Sequence, residues 1–250
     1  MIALISGATS GIGRSTALLL AEKGYDLIIT GRRNERLTEL TAKITQMFPV
    51  KVLPLCFDIR NNAEVVKAIE GLSTEWHAID VLVNNAGLAA GLSPIQTGLL
   101  SDWEQMIDTN VKGLLYLTKA VLPLMIPRKS GHIVNIGSIA GKEVYANGNV
   151  YCATKSAVDA LNKAMRIDLL PHAIKVTGIH PGMLETEFSL VRFKGDAEKA
   201  AAVYQGVEPL HPEDIASTIL WIIQQPKHVV INDLVITPLA QANTTQTFRG

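Results

Sequence analysis

The chain is predicted to fold as an α/β protein: a doubly wound parallel sheet of about seven strands with helices on both faces. Three observations lead there. Short, nearly continuous apolar runs alternate with amphipathic helix-forming stretches along the whole chain, as expected for strands buried on both faces and joined by crossover helices. The strand runs end in small or polar residues, at Gly7, Asp58, Asn84-Asn85-Ala86-Gly87, Gly137-Ser138 and Pro181-Gly182, so chemistry gathers at the carboxyl ends, where open α/β sheets bind ligands. No repeat, low-complexity stretch or linker interrupts the alternation, so 1–250 is expected to form one domain.

The opening stretch sets the rest. Residues 2–6 are an apolar strand, Gly7-Ala-Thr-Ser-Gly11-Ile-Gly13 is a turn with three glycines, and a helix-forming run continues to Leu20. Such a turn aims backbone N–H groups and the positive helix end at a phosphate. Residues 26–30 form the next strand, followed by Gly31-Arg32-Arg33. Asn34 is placed to cap a helix with an apolar face of Leu37, Leu40, Ile44 and Met47. Residues 50–57 form the third strand, and Asn62 is placed to cap the helix through Val65, Val66, Ile69 and Leu72. The fourth strand, 80–83, runs into Asn84. Ser101-Asp-Trp-Glu104 has the spacing of a capping box and opens a helical region to about Met125. Residues 131–136 are the fifth strand, 150–170 a long helix, and 175–179 the sixth strand. An insertion at about 183–209 carries mixed signals for short helices. Pro212 suits a first helical turn, and 229–237 should hold the last strand.

Composition narrows the partners. Lys+Arg and Asp+Glu both number 23, so the net charge is zero, which argues against nucleic acid or an acidic membrane as a general partner. No apolar run reaches membrane-spanning length and Met1 directly precedes the first strand, so a cytoplasmic protein without a membrane segment is expected. The two cysteines, Cys56 and Cys152, read as unpaired buried thiols, and no cluster of Cys and His has metal-ligand spacing.

Tyr151-Cys-Ala-Thr-Lys155 supplies a candidate acid/base. On a helix, positions i and i+4 share a face. An ammonium near a phenol favours the phenolate, and the pair becomes a tunable proton donor and acceptor. Ser138, at a strand end, could hydrogen-bond a substrate oxygen beside the phenol. Cys152 points elsewhere around the helix and reads as packing. His180 reads as a strand end, and Trp76, Trp103 and Trp221 as core or interface.

In this order, Gly7-Ala-Thr-Ser-Gly11-Ile-Gly13, Asn84-Asn85-Ala86-Gly87, Asn110, Ser138, Tyr151-x-x-x-Lys155 and Pro181-Gly182 closely resemble the short-chain dehydrogenase/reductase family over nearly the whole chain. The resemblance implies a Rossmann-type dinucleotide-binding oxidoreductase. Its catalytic set falls on Asn110, Ser138, Tyr151 and Lys155. Tyr151 would exchange a proton with substrate oxygen, Lys155 would lower the tyrosine pKa and hold the nicotinamide ribose, and Asn110 would anchor a water in the proton relay. The cofactor would lie along Gly7, Thr9, Ser10, Gly11, Ile12 and Gly13, then Asp58, Ile59, Asn85, Ala86 and Gly87. Beyond these it would meet Tyr151, Lys155, Pro181, Gly182 and Thr186. Ser6 departs from the family's common threonine without touching the catalytic set.

An enzyme preferring NAD usually has an acidic residue after the second strand to hold the ribose 2′-OH. Here Gly31-Arg32-Arg33 offers no acid and two guanidiniums for a 2′-phosphate, so NADP is the expected cofactor. A narrower resemblance, to NADP-dependent serine and 3-hydroxy acid dehydrogenases, rests on Glu185-Thr-Glu-Phe188, Val191-Arg-Phe-Lys-Gly-Asp196, Pro209, Glu213-Asp214, Pro226-x-His228-Val-x-Ile231 and Gly31-Arg-Arg-x-Glu-Arg-Leu37. It implies a small 3-hydroxy acid or its semialdehyde as substrate, a homotetramer, and a substrate lid in the insertion at about 183–209. The stretch 181–186 is one residue shorter than in some members. Arg192 is the candidate for the substrate carboxylate, with Lys194 its rival. A ketoreductase for another carbonyl, such as a 3-oxoacyl thioester or xenobiotic ketone, is the alternative enzyme. A redox-sensing NADP-binding regulator could dispense with Ser138, Tyr151 or Lys155, yet all three are present.

Overall fold

In strand β1 (Ile2–Ser6) every residue is buried, and its side chains alternate between two cores. The computed structural model describes residues 1–250. Ile2 and Leu4 join one apolar layer, while Ala3 and Ile5 join the other, the period-2 consequence of a strand sandwiched between helices. All pairings are parallel, with β2 (Asp26–Gly31), β3 (Val52–Cys56), β4 (Ile79–Asn84), β5 (Gly131–Ile136), β6 (Ile174–Pro181) and β7 (Asp233–Ile236). The order across the sheet is β3-β2-β1-β4-β5-β6-β7. The chain therefore winds one way from β1 and the other way from β4, and a crevice opens between their carboxyl ends.

One face is covered by α1 (Gly11–Glu22), α2 (Asn34–Met47) and α9 (Pro212–Ile223), through Leu20, Leu37, Ile44, Ile215 and Ile219. The other carries α3 (Asn62–Glu70), α5 (Leu114–Met125) and α6 (Asn149–Leu169), through Val65, Leu117, Val121 and Val158. Fully burying such a side chain contributes about 1.5–3 kcal/mol. Together they hold the strand ends in place. A short helix α4 (Leu100–Ile107) leads through a π-helical turn, Asp108–Gly113, into α5. The segment 183–209 holds two short helices, α7 (Glu187–Arg192) and α8 (Ala197–Ala202).

Several local expectations are corrected. Arg33, not Asn34, occupies the cap position of α2, because its guanidinium turns back onto the glycine turn and Asn34 is already helical. Asn61, not Asn62, caps α3, accepting from the N–H groups of Ala63 and Glu64. The capping box at Ser101 does not form: α4 starts two residues earlier, with Leu99 at the cap, and Asp102 turns inward to Lys194 at 2.9 Å. Strand β7 is shorter than 229–237. The Nζ of Lys175 takes the carbonyls of Pro226 and Val229 at 2.7 Å, and Thr177 Oγ1 donates to Ile231 O at 2.6 Å, so side chains of β6 replace ladder bonds there. Cys56 is exposed, on the edge strand β3, while Cys152 is buried as expected. Met47 is exposed rather than part of the apolar face of α2; of the tryptophans read as core or interface, Trp76 is buried and Trp221 is exposed.

The tail, on which the sequence is silent, is ordered against the insertion. Gln241 accepts from Met183 N–H at 2.7 Å, and Arg249 donates to the Val203 carbonyl at 3.1 Å.

Candidate active site

Backbone geometry shapes one end of the site. Gly7 and Gly11 have φ of +67° and +51°, the left-handed region that favours glycine. A Cβ at Gly13 would lie 2.5 Å from Gly7 O and from Asn85 Nδ2, so α1 can approach β1 only as glycine. The cap side chain of α1 makes no bond to the helix, and no acidic residue lies in its first turn. Its first N–H groups thus face the crevice with the positive helix end. Asn85 ties β4 to this turn by donating to Ser6 O at 2.9 Å, and Ser6 Oγ accepts from the N–H groups of Asn85 and Ala86 at 3.0 Å each. Serine thus makes the ties here with a plain hydroxyl.

The crevice continues as a cleft of about 520 Å³, lined from Gly7, Thr9, Ser10, Gly11 and Ile12 past Arg32, Arg33, Asp58 and Ile59, then Asn85, Ala86 and Gly87, to Ser138, Tyr151, Lys155, Pro181, Gly182, Thr186 and Arg192. Two expected residues, Gly13 and Asn110, lie behind this wall. Asn110, in the π-helical turn, accepts from Leu88 N–H and donates to Leu88 O, both at 2.8 Å, and donates to Thr154 Oγ1 at 3.0 Å. It joins the loop after β4 to α6, and a π-helical turn at such a junction is a frequent functional feature. Thr186 caps α7 and reaches over the glycine turn, its Cγ2 lying 3.1 Å from where a Gly11 Cβ would be.

At the mouth, Arg33 donates through Nε and Nη2 to Thr9 Oγ1 at 3.1 and 2.7 Å and through Nη2 to Ser10 Oγ at 2.8 Å. Arg32 lies 3.9 Å from Asp58, whose nearer partner is Arg60 at 2.6 Å. A Cβ at Gly31 would stand 2.6 Å from Thr9 Cγ2, so any side chain at that place requires Thr9 to shift.

Tyr151, Lys155 and Asp159 form one buried stripe on α6. Tyr151 is 8% exposed, with Phe188 edge-on at 5.5 Å between ring centres. Burial pushes its phenol pKa well up, Tyr145 adds to this, and the Ser138 hydroxyl and the Arg192 guanidinium pull it back. Lys155 is 6% exposed and burial lowers its pKa to about 8. Its Nζ donates to Ile136 O at 2.9 Å and stands 6.0 Å from the Tyr151 ring centre. The groups that favour the phenolate in this arrangement are thus the Ser138 hydroxyl and the Arg192 guanidinium. Ser138 Oγ accepts from Ala140 N–H at 3.1 Å and donates to Pro181 O at 3.4 Å.

Arg192 stands over Tyr151. Its guanidinium carbon is 5.4 Å from the centres of both the Tyr151 and Tyr145 rings. It donates to the Tyr145 hydroxyl and, through Nε, to Gly91 O at 3.4 Å. The rival Lys194 pairs with Asp102 instead. His180 lies inside β6 at 1% exposure, behind Ser138, with Nε2 2.5 Å from Asp233 Oδ1, and does not line the cleft.

Sequence reasoning missed Tyr145, Phe188, Glu187, Gln241 and Thr244, which all line the cleft. Glu187 and Phe188 lie in the Glu185-Thr-Glu-Phe188 stretch, which carries the narrower resemblance but no cleft role of its own, and Tyr145, Gln241 and Thr244 lie in no motif. Only Arg36, which pairs with Glu187 at 2.6 Å, carried a usable signal: it follows Arg33 by three positions on one helix face.

A family model described as short chain dehydrogenase matches residues 1–196. The NADP-dependent 3-hydroxy acid dehydrogenase of Salmonella typhi is 48% identical over 243 residues, 97% of this chain and 96% of its own. The serine 3-dehydrogenase of Agrobacterium fabrum is 44% identical over 239 residues, 96% of this chain and 94% of its own. A solved structure described as the closed form of serine dehydrogenase complexed with NADP+ superposes with a TM-score of 0.93 at 45% identity, covering 100% of both chains.

Proposed function

The chain belongs to the short chain dehydrogenase family, and on that premise we propose that it is an NADP-dependent oxidoreductase of small 3-hydroxy acids, of the serine, allo-threonine or 3-hydroxypropionate type, or of their semialdehydes. The observation that carries the substrate class is Arg192, whose guanidinium lies 5.4 Å from the Tyr151 ring centre in the shared cleft. A guanidinium can hold a carboxylate by two parallel hydrogen bonds and so fix which carbon faces the cofactor.

The residues present fit the cofactor. Uncapped N–H groups of α1 and the glycine turn suit a pyrophosphate. Arg32 and Arg33, both exposed at the mouth, suit a 2′-phosphate. NADP, when bound, supplies the hydride acceptor or donor. Tyr151, once ionised, takes the proton from the substrate hydroxyl as a phenolate in oxidation, and as the phenol gives one to the carbonyl oxygen in reduction. Ser138 holds that oxygen with its hydroxyl. The Lys155 ammonium sits on the same face of α6 as the phenol and is the group available to hold the nicotinamide ribose. Asn110, joined to Leu88 and Thr154, fixes the loop and helix that flank the relay and anchors its water. The segment 183–209 is the substrate lid, and 1–250 act as one domain.

No helix is long and apolar enough to cross a membrane. We read the protein as cytoplasmic and as a homotetramer, by the family resemblance. The exposed Leu99, Leu100, Ile107 and Leu115 along α4 and α5 offer an apolar face for a second copy, and light scattering at known concentration tests this.

The test of activity is a spectrophotometric screen at the NADPH band with serine isomers, threonine isomers, 3-hydroxypropionate and neutral alcohols. Hydroxy acids are expected to turn over with NADP. Preference for neutral alcohols of similar size overturns the acid reading in favour of a ketoreductase, which the aromatic wall of Tyr145 and Phe188 would then serve.

A further inference from the structure

Glu187, the first residue of α7, reaches across the cleft mouth to α2. Its Oε2 accepts from Arg33 Nη1 at 2.9 Å, and its Oε1 from Arg36 Nη1 at 2.6 Å. Arg33 spends its remaining donors on Thr9 and Ser10 of the glycine turn. The carboxylate thus occupies the one outward-facing arm of a guanidinium that is otherwise committed to the cofactor end. Against a burial effect that would raise it, the bonds from Arg33 and Arg36 hold the Glu187 pKa below the usual carboxylate value, so it is an anion at neutral pH.

We propose that Glu187 is a cofactor-specificity residue: an internal counter-anion that holds Arg33 and Arg36 and is displaced by the 2′-phosphate of the dinucleotide. The inference rests on the NADP reading above. The pair is weak enough to yield. Arg33 and Glu187 are 42% and 40% exposed at their side chains, and exposed ion pairs contribute little. A phosphate brings more charge and three acceptor oxygens to the same guanidiniums. Cofactors without the phosphate leave Glu187 in place. Because Glu187 begins the helix that carries Phe188 and Arg192 over Tyr151, displacement also frees the near end of α7. The far end stays tied through Arg192 to Gly91 and Lys194 to Asp102.

The experiment is calorimetric titration of the full chain with 2′,5′-ADP and with 5′-AMP, on wild type, Glu187→Gln, Arg33→Ala and the double variant. Wild type is expected to prefer 2′,5′-ADP. Glu187→Gln should tighten 2′,5′-ADP by about 2- to 10-fold, the scale of losing one or two exposed pairs, and leave 5′-AMP unchanged. In the Arg33→Ala background the tightening should shrink, since the two residues share the interaction. Amide exchange over 187–192 should quicken on adding 2′,5′-ADP to wild type and be quick without ligand in Glu187→Gln. If Glu187→Gln weakens or does not change 2′,5′-ADP binding while wild type still prefers it, the carboxylate does not compete, and the inference fails with the NADP reading intact. If wild type binds both nucleotides alike, the phosphate reading of Arg32 and Arg33 fails, and the role of Glu187 falls with it.

Discussion

At the glycine turn the cleft wall is made by β1, Gly7 and α1, which follow one another in sequence. Over Tyr151 it is made by Arg192 held to Gly91, 101 residues earlier, by Lys194 held to Asp102, and by Gln241 held to Met183. The first wall presents backbone N–H groups whose positions are set by sterics, since a Cβ at Gly13 meets the Gly7 carbonyl. The second presents side chains held by single hydrogen bonds or ion pairs between segments remote in sequence, each contributing about 0.5–1.5 kcal/mol or less. One end of the cleft is therefore fixed and general to dinucleotides, and the other adjustable and specific to a substrate. Tyr151, between Phe188 of α7 and the stripe of α6, is where they meet.

Removing that meeting point gives the largest effect. Tyr151→Phe should lower turnover about 10²–10⁴-fold, the loss of general acid–base catalysis, while NADPH binding measured by fluorescence titration stays near wild type. A Phe variant with ordinary turnover would mean that the two walls share no proton donor there. On the adjustable side, Arg192→Ala removes a charged hydrogen bond worth about 1.5–3 kcal/mol, or about 10–150-fold in kcat/KM on serine or 3-hydroxypropionate. Neutral alcohols should lose little, and equal losses on both would reduce Arg192 to a support of α7. On the fixed side, Gly13→Ala should cost about 1–3 kcal/mol of stability through overpacking against backbone and weaken every dinucleotide alike, read as lower Tm and lower affinity for NADPH and NADH together. The contrast fails if Gly13→Ala discriminates between cofactors or Arg192→Ala lowers Tm as much.

The same contrast decided what could be read from the residues. The five inner strands, β1, β2, β4, β5 and β6, were legible because parallel strands buried on both faces are apolar runs that end in residues suited to a turn, whereas the half-exposed edge strands β3 and β7 were legible in place more than in extent. The glycine turn and the Tyr151–Lys155 pair were legible because their spacing is local. Helix starts were less so: Asn61-Asn62 offers two adjacent caps, and only the bonds to Ala63 and Glu64 choose the first. Ser101 has the spacing of a capping box, but Asp102 is drawn to Lys194, a partner on a segment remote in sequence. Tyr145, Glu187 and Gln241 reach the cleft only through tertiary packing: no periodicity or motif marks Tyr145 and Gln241, and the stretch that holds Glu187 says nothing of the arginines it meets. The order of the tail depends on Met183 and Val203, so nothing within the tail itself announces it.

The smallest expected effect concerns the fixed framework and runs against intuition. Lys155 is buried on α6, and burial lowers its pKa from 10.5 to about 8. A lysine depressed in the folded state destabilises that state below the folded pKa, where the native protein must carry a buried ammonium. Between about 8 and 10.5 the unfolded chain binds the proton and the native state does not, so this group makes stability rise with pH. At about 1.36 kcal/mol per unit the buried charge costs roughly 3 kcal/mol at pH 7. The hydrogen bond to Ile136 O at 2.9 Å offsets about 1.5 kcal/mol of that when it is lost. Lys155→Met should therefore raise stability at pH 7 by about 1–2 kcal/mol, read by urea denaturation without cofactor, while turnover is lost and NADPH binds more weakly. The advantage should shrink as pH climbs from 8 toward 10.5, because wild type sheds the buried charge and the variant has none to shed. A variant less stable than wild type at pH 7, with a gap independent of pH, would show that the ammonium is solvated in the native state. Lys155 would then belong with the adjustable wall rather than with the framework.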